Sequence, residues 1–131
     1  MDADILNEYV EMIKNKLYVL NFESALASAE KLMANYPKNS CAHYFVGVCN
    51  FALERYDNAI SNYIKAISLD VGNAKAYFNL GVAYYLLNDF DNALINIGKA
   101  MIIFSKKKEL DNRKRCYDAL NFIQMERKTF V

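Results

Sequence analysis

The chain has 131 residues, of which 54% are hydrophobic and 24% are charged, and its formal net charge is +1. This length predicts one domain that buries roughly two thirds of the surface of its unfolded chain. No apolar run approaches the roughly 18 residues that a membrane span needs, so the composition favours a soluble protein and excludes a membrane-spanning one.

The amino terminus and the cysteines indicate a reducing compartment. Residues 1–4 are acidic and lack the basic start and the apolar core of a signal peptide. Cys41, Cys49 and Cys116 form no CxxC motif, and an odd number of cysteines is more typical of thiols than of a disulfide framework. We therefore expect a cytoplasmic protein whose cysteines are small buried or half-buried hydrophobic residues.

Seven helices are predicted along the chain. Residues 2–19 place Ile5, Tyr9 and Ile13 on one face at helical spacing. A second helix from about 22 to 36 ends there because the residue before Pro37 is pushed out of the helical region. Asn88 is the expected left-handed residue at the end of a helix. The other five helices are expected at about residues 40–53, 56–69, 74–87, 90–104 and 108–128.

A period of 34 residues organises the sequence. Residues 40–73 are repeated position for position by residues 74–107, with identities that include Gly47/Gly81 and Ala59/Ala93. Residues 22–25 hold the same string of aromatic, acid, small polar residue and alanine that residues 56–59 hold one period later. The sequence therefore predicts three repeats of equal length, at about residues 6–39, 40–73 and 74–107.

Each repeat resembles the tetratricopeptide repeat, a helix-turn-helix with the pattern W-x2-L-G-x2-Y, then A-x3-F and a small residue. The third repeat reads Tyr77-x2-Leu80-Gly81-x2-Tyr84, then Ala93-x3-Ile97 and Ala100. The second reads His43-x2-Val46-Gly47-x2-Asn50, then Ala59-x3-Tyr63 and Ala66, and the first is the most divergent. The resemblance implies an all-α fold, a right-handed α-solenoid of antiparallel helix pairs with about seven helices and a single domain over residues 1–131.

The repeated glycines indicate close helix contacts. Gly47 and Gly81 fall inside predicted first helices, where glycine costs about 1 kcal/mol relative to alanine. Because two repeats carry this cost at the same place, we expect the two helices of a repeat to touch there. Small residues on the second helices permit the same approach: Ala59, Ala66, Ala93 and Ala100.

The segment after residue 104 departs from the repeat. Its apolar positions are interpreted as one stripe of a capping helix at about residues 108–128: Leu110, Cys116, Tyr117, Leu120 and Ile123. With the start at Met1, such a cap favours a complete chain. Residues 106–131 hold eight Lys or Arg and four acids, a net charge of +4. We interpret this surplus as a solvated helix face and expect no nucleic-acid partner, because a committed binder neutralises roughly six to ten phosphates.

Residues for catalysis are nearly absent. His43 is the only histidine, and it occupies a position where the repeat has a large aromatic residue, so we expect it to pack. Cys41 and His43 on one helix point about 200° apart and form no nucleophile-base pair. No P-loop, GxGxxG or HExxH motif occurs. We therefore expect no catalytic site, no cofactor and no metal, and a protein that is not an enzyme.

The resemblance also implies where a partner binds. Proteins with this repeat usually hold a peptide or helix in a concave groove lined by the first helices of successive repeats. The corresponding positions here are Asn7, Val10, Lys14 and Tyr18 in the first repeat, Cys41, Tyr44 and Val48 in the second, and Lys75, Phe78, Val82 and Tyr85 in the third. Tyr44/Val48 and Phe78/Val82 are i,i+4 pairs, which supports a shared face. Phe51, Leu86 and Tyr85 are alternatively core residues between helices.

The groove composition disfavours one known ligand. Members of the family that hold the carboxyl end of heat-shock chaperones use a clamp of Lys, Asn and Arg side chains. The matching positions here are Val10, Lys14, Phe45, Lys75 and Asn79, and only Lys75 agrees with the clamp. Large aromatic residues in the groove instead favour apolar anchors of a peptide or an amphipathic helix.

Three functional hypotheses follow. The leading one is a protein-interaction module whose groove binds an apolar peptide or helix of a partner. A narrower alternative is a secretion-type chaperone that shields a hydrophobic partner. The third is a structural scaffold that self-associates through an exposed repeat face.

Overall fold

A computed structural model describes the backbone of residues 3–130 and the side chains of residues 3–129. The predicted start of the first helix at residue 2 lies outside this range. The described chain forms seven helices and no strand: α1 Ala3–Tyr18, α2 Phe22–Asn35, α3 Ser40–Ala52, α4 Tyr56–Leu69, α5 Ala74–Leu86, α6 Phe90–Lys106 and α7 Leu110–Phe130. Every helix end whose predicted position falls within the described range lies within two residues of that position. None of these helices has the length and apolarity that crossing a bilayer requires.

The chain divides into two compact units, which we call the N-terminal unit, Met1–Leu69, and the C-terminal unit, Asp70–Val131. In the N-terminal unit α1 pairs with α2 and α3 pairs with α4, and α3 also contacts α2 and α1. In the C-terminal unit α6 lies against both α5 and α7. Each unit has its own core of buried apolar side chains.

The same tight turn closes each helix pair. Leu20, Glu54 and Asn88 lie 34 residues apart and have φ angles of 63°, 61° and 62°. The next residue donates its N–H to a carbonyl five positions back, as from Asn21 to Lys16 at 2.8 Å, and residues 55 and 89 repeat this bond at 2.8 and 2.9 Å. This pattern is the Schellman motif, which satisfies carbonyls at the end of a helix. The left-handed conformation predicted for Asn88 is confirmed.

The starts of the helices follow the same period. Asn39 and Asn73 precede α3 and α5, and each side chain accepts a hydrogen bond at 3.1 Å from the N–H three residues later. Such an N-cap contributes about 1 kcal/mol because it satisfies a donor that the helix leaves open. The period of the sequence therefore extends to local hydrogen bonding at both ends of the helices.

The predicted glycine contacts are confirmed. A Cβ atom on Gly47 would lie 2.6 Å from Cε1 of Tyr63, and one on Gly81 would lie 2.5 Å from Cγ1 of Ile97. Tyr63 and Ile97 are buried on the second helices, so neither has free space into which it can move. The small residues predicted for these second helices are all fully buried: Ala59, Ala66, Ala93 and Ala100.

Helix α7 packs through a narrower stripe than the sequence predicted. Four of its residues face the core of the C-terminal unit: Cys116, Ala119, Leu120 and Ile123. Leu110 and Tyr117 were expected in this stripe, but their side chains are 66% and 58% exposed. At about 100° per residue they lie about 100–120° around α7 from Cys116, which places them outside the buried core. The prediction of a single stripe with five members is therefore wrong.

The lone histidine and the cysteines are packing residues, as predicted. His43 is buried, and its Nε2–H donates a hydrogen bond to the carbonyl of Pro37 at 2.7 Å. Cys49 and Cys116 are buried and Cys41 is half-buried. Burial, with the charge of Glu30 as a smaller cause, raises the pKa of the Cys49 thiol to about 12. This thiol therefore stays protonated at neutral pH.

Substitution of Gly81 by alanine is expected to destabilise the fold by about 1–2 kcal/mol. Overpacking against Ile97 outweighs the gain of about 1 kcal/mol in helix propensity. Gly98→Ala is the matched control, because a Cβ there meets nothing within 4 Å, and it is expected to raise stability. Urea unfolding followed by far-UV circular dichroism measures both. Equal gains in stability for the two variants would contradict a close contact at Gly81.

Alkylation distinguishes the cysteines. Because the thiolate is the reactive form, iodoacetamide at pH 8 is expected to modify half-buried Cys41 first and to leave Cys49 unmodified in the folded protein. Burial also raises the pKa of Cys116, so it is expected to be protected as well. Mass spectrometry of tryptic peptides gives the rate at each site, and urea is the control that exposes all three. Equal rates at Cys41 and Cys49 in the native protein would be inconsistent with this packing.

Candidate partner-binding surface

Four of the predicted groove residues of the N-terminal unit are half-buried, and we call them the N-terminal surface: Val10, Cys41, Tyr44 and Val48. Val10, Cys41 and Tyr44 pack against the same core. The ring of Tyr44 lies 5.2 Å from that of Phe45 and 6.0 Å from that of Tyr63, measured between centroids. Its neighbours therefore hold Tyr44 at the edge of the core with part of the ring in solvent.

The other predicted groove residues on α1 are exposed. Asn7 is in solvent, and Lys14 forms an ion pair with Glu11 at 3.7 Å that is itself largely exposed. Tyr18 is 87% exposed at the carboxyl end of α1. These three side chains do not join the packed cluster around Tyr44.

Three predicted groove residues of α5 are half-buried and form what we call the C-terminal surface: Phe78, Val82 and Tyr85. Phe78 and Tyr85 pack against the core of the C-terminal unit. Lys75 lies one turn before Phe78 on the same helix and is exposed. The surface is apolar, with a cation at one end.

Helix α7 borders this surface, an arrangement that was not predicted from the sequence. The guanidinium carbon of Arg115 lies 5.5 Å from the centroid of the Phe78 ring. The ring of Phe122 meets that of Tyr85 edge-on at 5.9 Å, and the Tyr85 hydroxyl donates a hydrogen bond to Glu126 Oε1 at 3.2 Å. Phe122 and Glu126 follow Arg115 by seven and eleven residues, and these spacings place all three side chains on one face of a helix. The shared face is the one feature of this arrangement that the sequence indicates.

The Tyr85 hydroxyl is held as a donor. Partial burial raises its pKa above the ordinary value, and the carboxylate of Glu126 raises it further. The phenol therefore stays protonated across the neutral range and ties α5 to α7.

A depression lies on the other side of α7, away from the C-terminal surface. An open apolar depression of about 470 Å³ is lined by Met101, Leu110, Arg113, Lys114 and Tyr117. Lys114 is paired there with Asp118 at 2.8 Å. The two flanks of α7 thus have different surroundings.

The residues with two alternative roles now have defined positions. Phe51 is half-buried and its ring contacts that of Tyr56 at 5.3 Å, whereas Leu86 is 42% exposed and is not a core residue. Phe45, at a clamp position of the chaperone-tail binders, is buried in the core and presents no polar group.

No group of three or more His, Cys, Asp or Glu side chains within residues 3–129 is placed to hold a metal ion.

One basic residue of the carboxyl-terminal segment has an acidic partner, because Arg127 forms an ion pair with Asp91 at 2.9 Å. The chemistry that these surfaces offer is burial of apolar groups beside a few cations.

Comparisons with known proteins agree on the repeat. A family model described as TPR repeat matches residues 50–88, and one described as tetratricopeptide repeat matches residues 11–68. Together the two models span most of the three predicted repeats. A search of curated protein sequences gave no significant match.

Solved structures match over nearly the whole chain. The translocator chaperone SycD of Yersinia enterocolitica type III secretion is 19% identical, with a TM-score of 0.88 over 98% of this chain and 89% of SycD. PcrH of Pseudomonas aeruginosa, in complex with the chaperone binding region of PopD, is 16% identical, with a TM-score of 0.87 over 97% of this chain and 96% of PcrH. The TPR2B domain of yeast Sti1, in complex with an Hsp70 peptide, is 14% identical, with a TM-score of 0.86 over 92% of this chain and 96% of the domain.

These similarities confirm the predicted fold class, the all-α helical repeat. At such low identity they establish the fold alone. The two family models, which between them match residues 11–88, carry the family assignment: the chain belongs to the tetratricopeptide repeat family.

Proposed function

We propose that this protein is an interaction module that binds an apolar segment of another protein. The N-terminal surface and the C-terminal surface, considered separately, each offer apolar contacts on the first helices of the repeats. The partner segment would supply apolar anchors, either as an extended peptide or as one face of a helix.

The observation that carries the proposal is the state of Tyr44 and Phe78. Each side chain is half-buried and packs against the core of its own unit. A ring that is already held in place loses little conformational freedom when a partner covers it, so more of the burial energy appears as affinity. Aromatic residues of this kind are frequent among the side chains that dominate binding.

A binding role fits the chemistry of His43 and Cys49 better than a catalytic one. The Nε2–H of His43 is engaged by a backbone carbonyl, and the Cys49 thiol, with a pKa of about 12, stays protonated. Neither group is prepared to attack a substrate. We therefore propose a binding protein and not an enzyme.

The first test removes the two rings. A peptide that binds the wild type is first selected from a displayed random library and labelled, and its affinity is measured by fluorescence anisotropy. Tyr44→Ala and Phe78→Ala are each expected to weaken binding about tenfold or more, because each loses an anchor worth roughly 2 kcal/mol. Tyr117→Ala removes an exposed ring from the other flank of α7 and is expected to leave the affinity unchanged.

Circular dichroism must show that all three variants keep the helical content of the wild type. Wild-type affinity in both Tyr44→Ala and Phe78→Ala would overturn the proposed surfaces. Equal weakening by all three variants would place the peptide elsewhere or show a general loss of structure.

A narrower role, as a chaperone for a hydrophobic secreted protein, is favoured by the comparisons. SycD is described as a translocator chaperone, and PcrH was solved with the chaperone binding region of PopD. Both align over almost the entire length of this chain. We propose that this chain, too, keeps an aggregation-prone partner in solution.

Co-expression tests this narrower role. Candidate partners are apolar proteins from the same genome that are insoluble when produced alone. At least one is expected to become soluble and to co-purify with the wild type, and Phe78→Ala is expected to lose this effect because it lacks the anchor. If peptides bind but no candidate gains solubility, the interaction module stands and the chaperone role does not.

A further inference from the structure

Helix α7 has three distinct sectors around its axis. One faces the core through Cys116 and Ile123, and a second borders the depression through Leu110 and Tyr117. The third contains Arg115, Phe122 and Glu126, whose directions all fall about 80–120° from Cys116 on the side opposite Tyr117. Every member of this third sector contacts a residue of the C-terminal surface. We call it the α5-facing flank.

Arg115 of the α5-facing flank stands at a repeat position that has a different residue, with a different role, in the repeats. Arg115 lies one period after Gly81, where a fourth repeat would have its glycine. Gly81 faces its second helix, and an added Cβ there would clash with Ile97. Arg115 instead points its long side chain over Phe78. This position therefore holds an exposed cation, whereas the second and third repeats have a buried glycine there.

The two cations of this surface have no acidic partner among the described residues. Lys75 and Arg115 take part in none of the ion pairs formed among residues 3–129. Both lie near Phe78, one on its own helix and one across from it. The carboxylate of Glu126 lies about three turns along α7 from Arg115 and is engaged by the Tyr85 hydroxyl. The end of the surface at Phe78 is thus positive beside an apolar ring.

The exposure of Phe122 extends the apolar area. Its side chain is 55% exposed although its edge contacts Tyr85, so a partner that covers Tyr85 would cover Phe122 as well. Helix α7 then supplies one side of the surface and α5 supplies the other.

We propose that α7 is a wall of the partner-binding surface and that Arg115, with Lys75, selects a partner segment that carries an Asp or Glu next to its apolar anchor. The anchor packs on Phe78 and Val82, and the adjacent carboxylate lies between the two cations. Charges at the edge of an interface act mainly on specificity, and a like charge placed there is strongly unfavourable. This inference rests on the proposed interaction function and adds the chemistry of the ligand.

The test is a selection from a phage-displayed library of random peptides. It is run in parallel on the wild type, on Arg115→Glu and on Arg113→Glu, which makes the same charge change on the other flank of α7. The wild type and Arg113→Glu are expected to enrich peptides with an acid next to a large apolar residue. Arg115→Glu is expected to lose that preference and to enrich Lys or Arg at the same place.

Affinity measurements on the selected peptide complete the test. Arg115→Glu is expected to weaken binding about tenfold or more, and a peptide with its acid changed to lysine is expected to recover affinity on that variant alone. Phe122→Ala is expected to weaken binding, whereas Tyr117→Ala, an equally exposed ring on the same helix, is expected to have no effect. Circular dichroism again verifies the fold.

The outcomes separate this inference from the proposed function. Peptides that depend on Tyr44 and Phe78 but show the same acid content on the wild type and on Arg115→Glu would overturn the inference and leave the interaction module intact. A wild type that enriches no peptide at all would overturn both.

Discussion

The fold depends on the absence of a side chain at two positions. The space that a Cβ on Gly47 or Gly81 would need is occupied by a ring carbon of Tyr63 or by Ile97, and at Gly81 the carbonyl oxygen of Ala93 lies 3.0 Å from the same point. Close approach brings the second helix of a repeat against the first and buries its alanines completely. The loss in helix propensity is offset by packing that a larger residue would prevent.

This contact also positions the candidate surface. Counted around the first helix, Tyr44 and Val48 lie about 60–100° from Gly47, and Phe78 and Val82 have the same relation to Gly81. They are therefore at the border of the helix contact, where a side chain is half-buried. The ring of Tyr44 also meets that of Tyr63 on the second helix, and Arg115 of α7 lies over the ring of Phe78. A rigid, half-open apolar surface is thus a consequence of how the repeat packs.

Most of the fold could be predicted from the sequence because its local chemistry recurs with the period. The glycine contacts, the helix ends and the left-handed Asn88 all follow from residues whose preferences are strong. Leu20 and Glu54 adopt the same left-handed conformation without any such preference, since neither residue favours positive φ. Only their positions, one and two 34-residue periods before Asn88, indicate it.

The surroundings of α7 could not be predicted in the same way. Residues after position 104 do not keep the residue pattern of the repeat, so the rotation of α7 about its axis is decided by which side chains pack on α6. A stripe of five apolar residues fits several rotations, and the one adopted leaves Leu110 and Tyr117 outside the core. It also turns Arg115 toward Phe78, a contact between residues far apart in sequence with no local signal. The half-exposed state of Tyr44 and Phe78 likewise depends on tertiary packing.

The place where a partner binds is tested most directly by titrating isotope-labelled protein with the selected peptide. Backbone amide chemical shifts are recorded at each step of the titration. The central claim is that a partner binds the first helices of the repeats and the α5-facing flank of α7. The largest changes are then expected around Tyr44, Phe78 and Phe122, with α4 unaffected. Changes confined to α2 and α4, or to the depression around Leu110 and Tyr117, would contradict it.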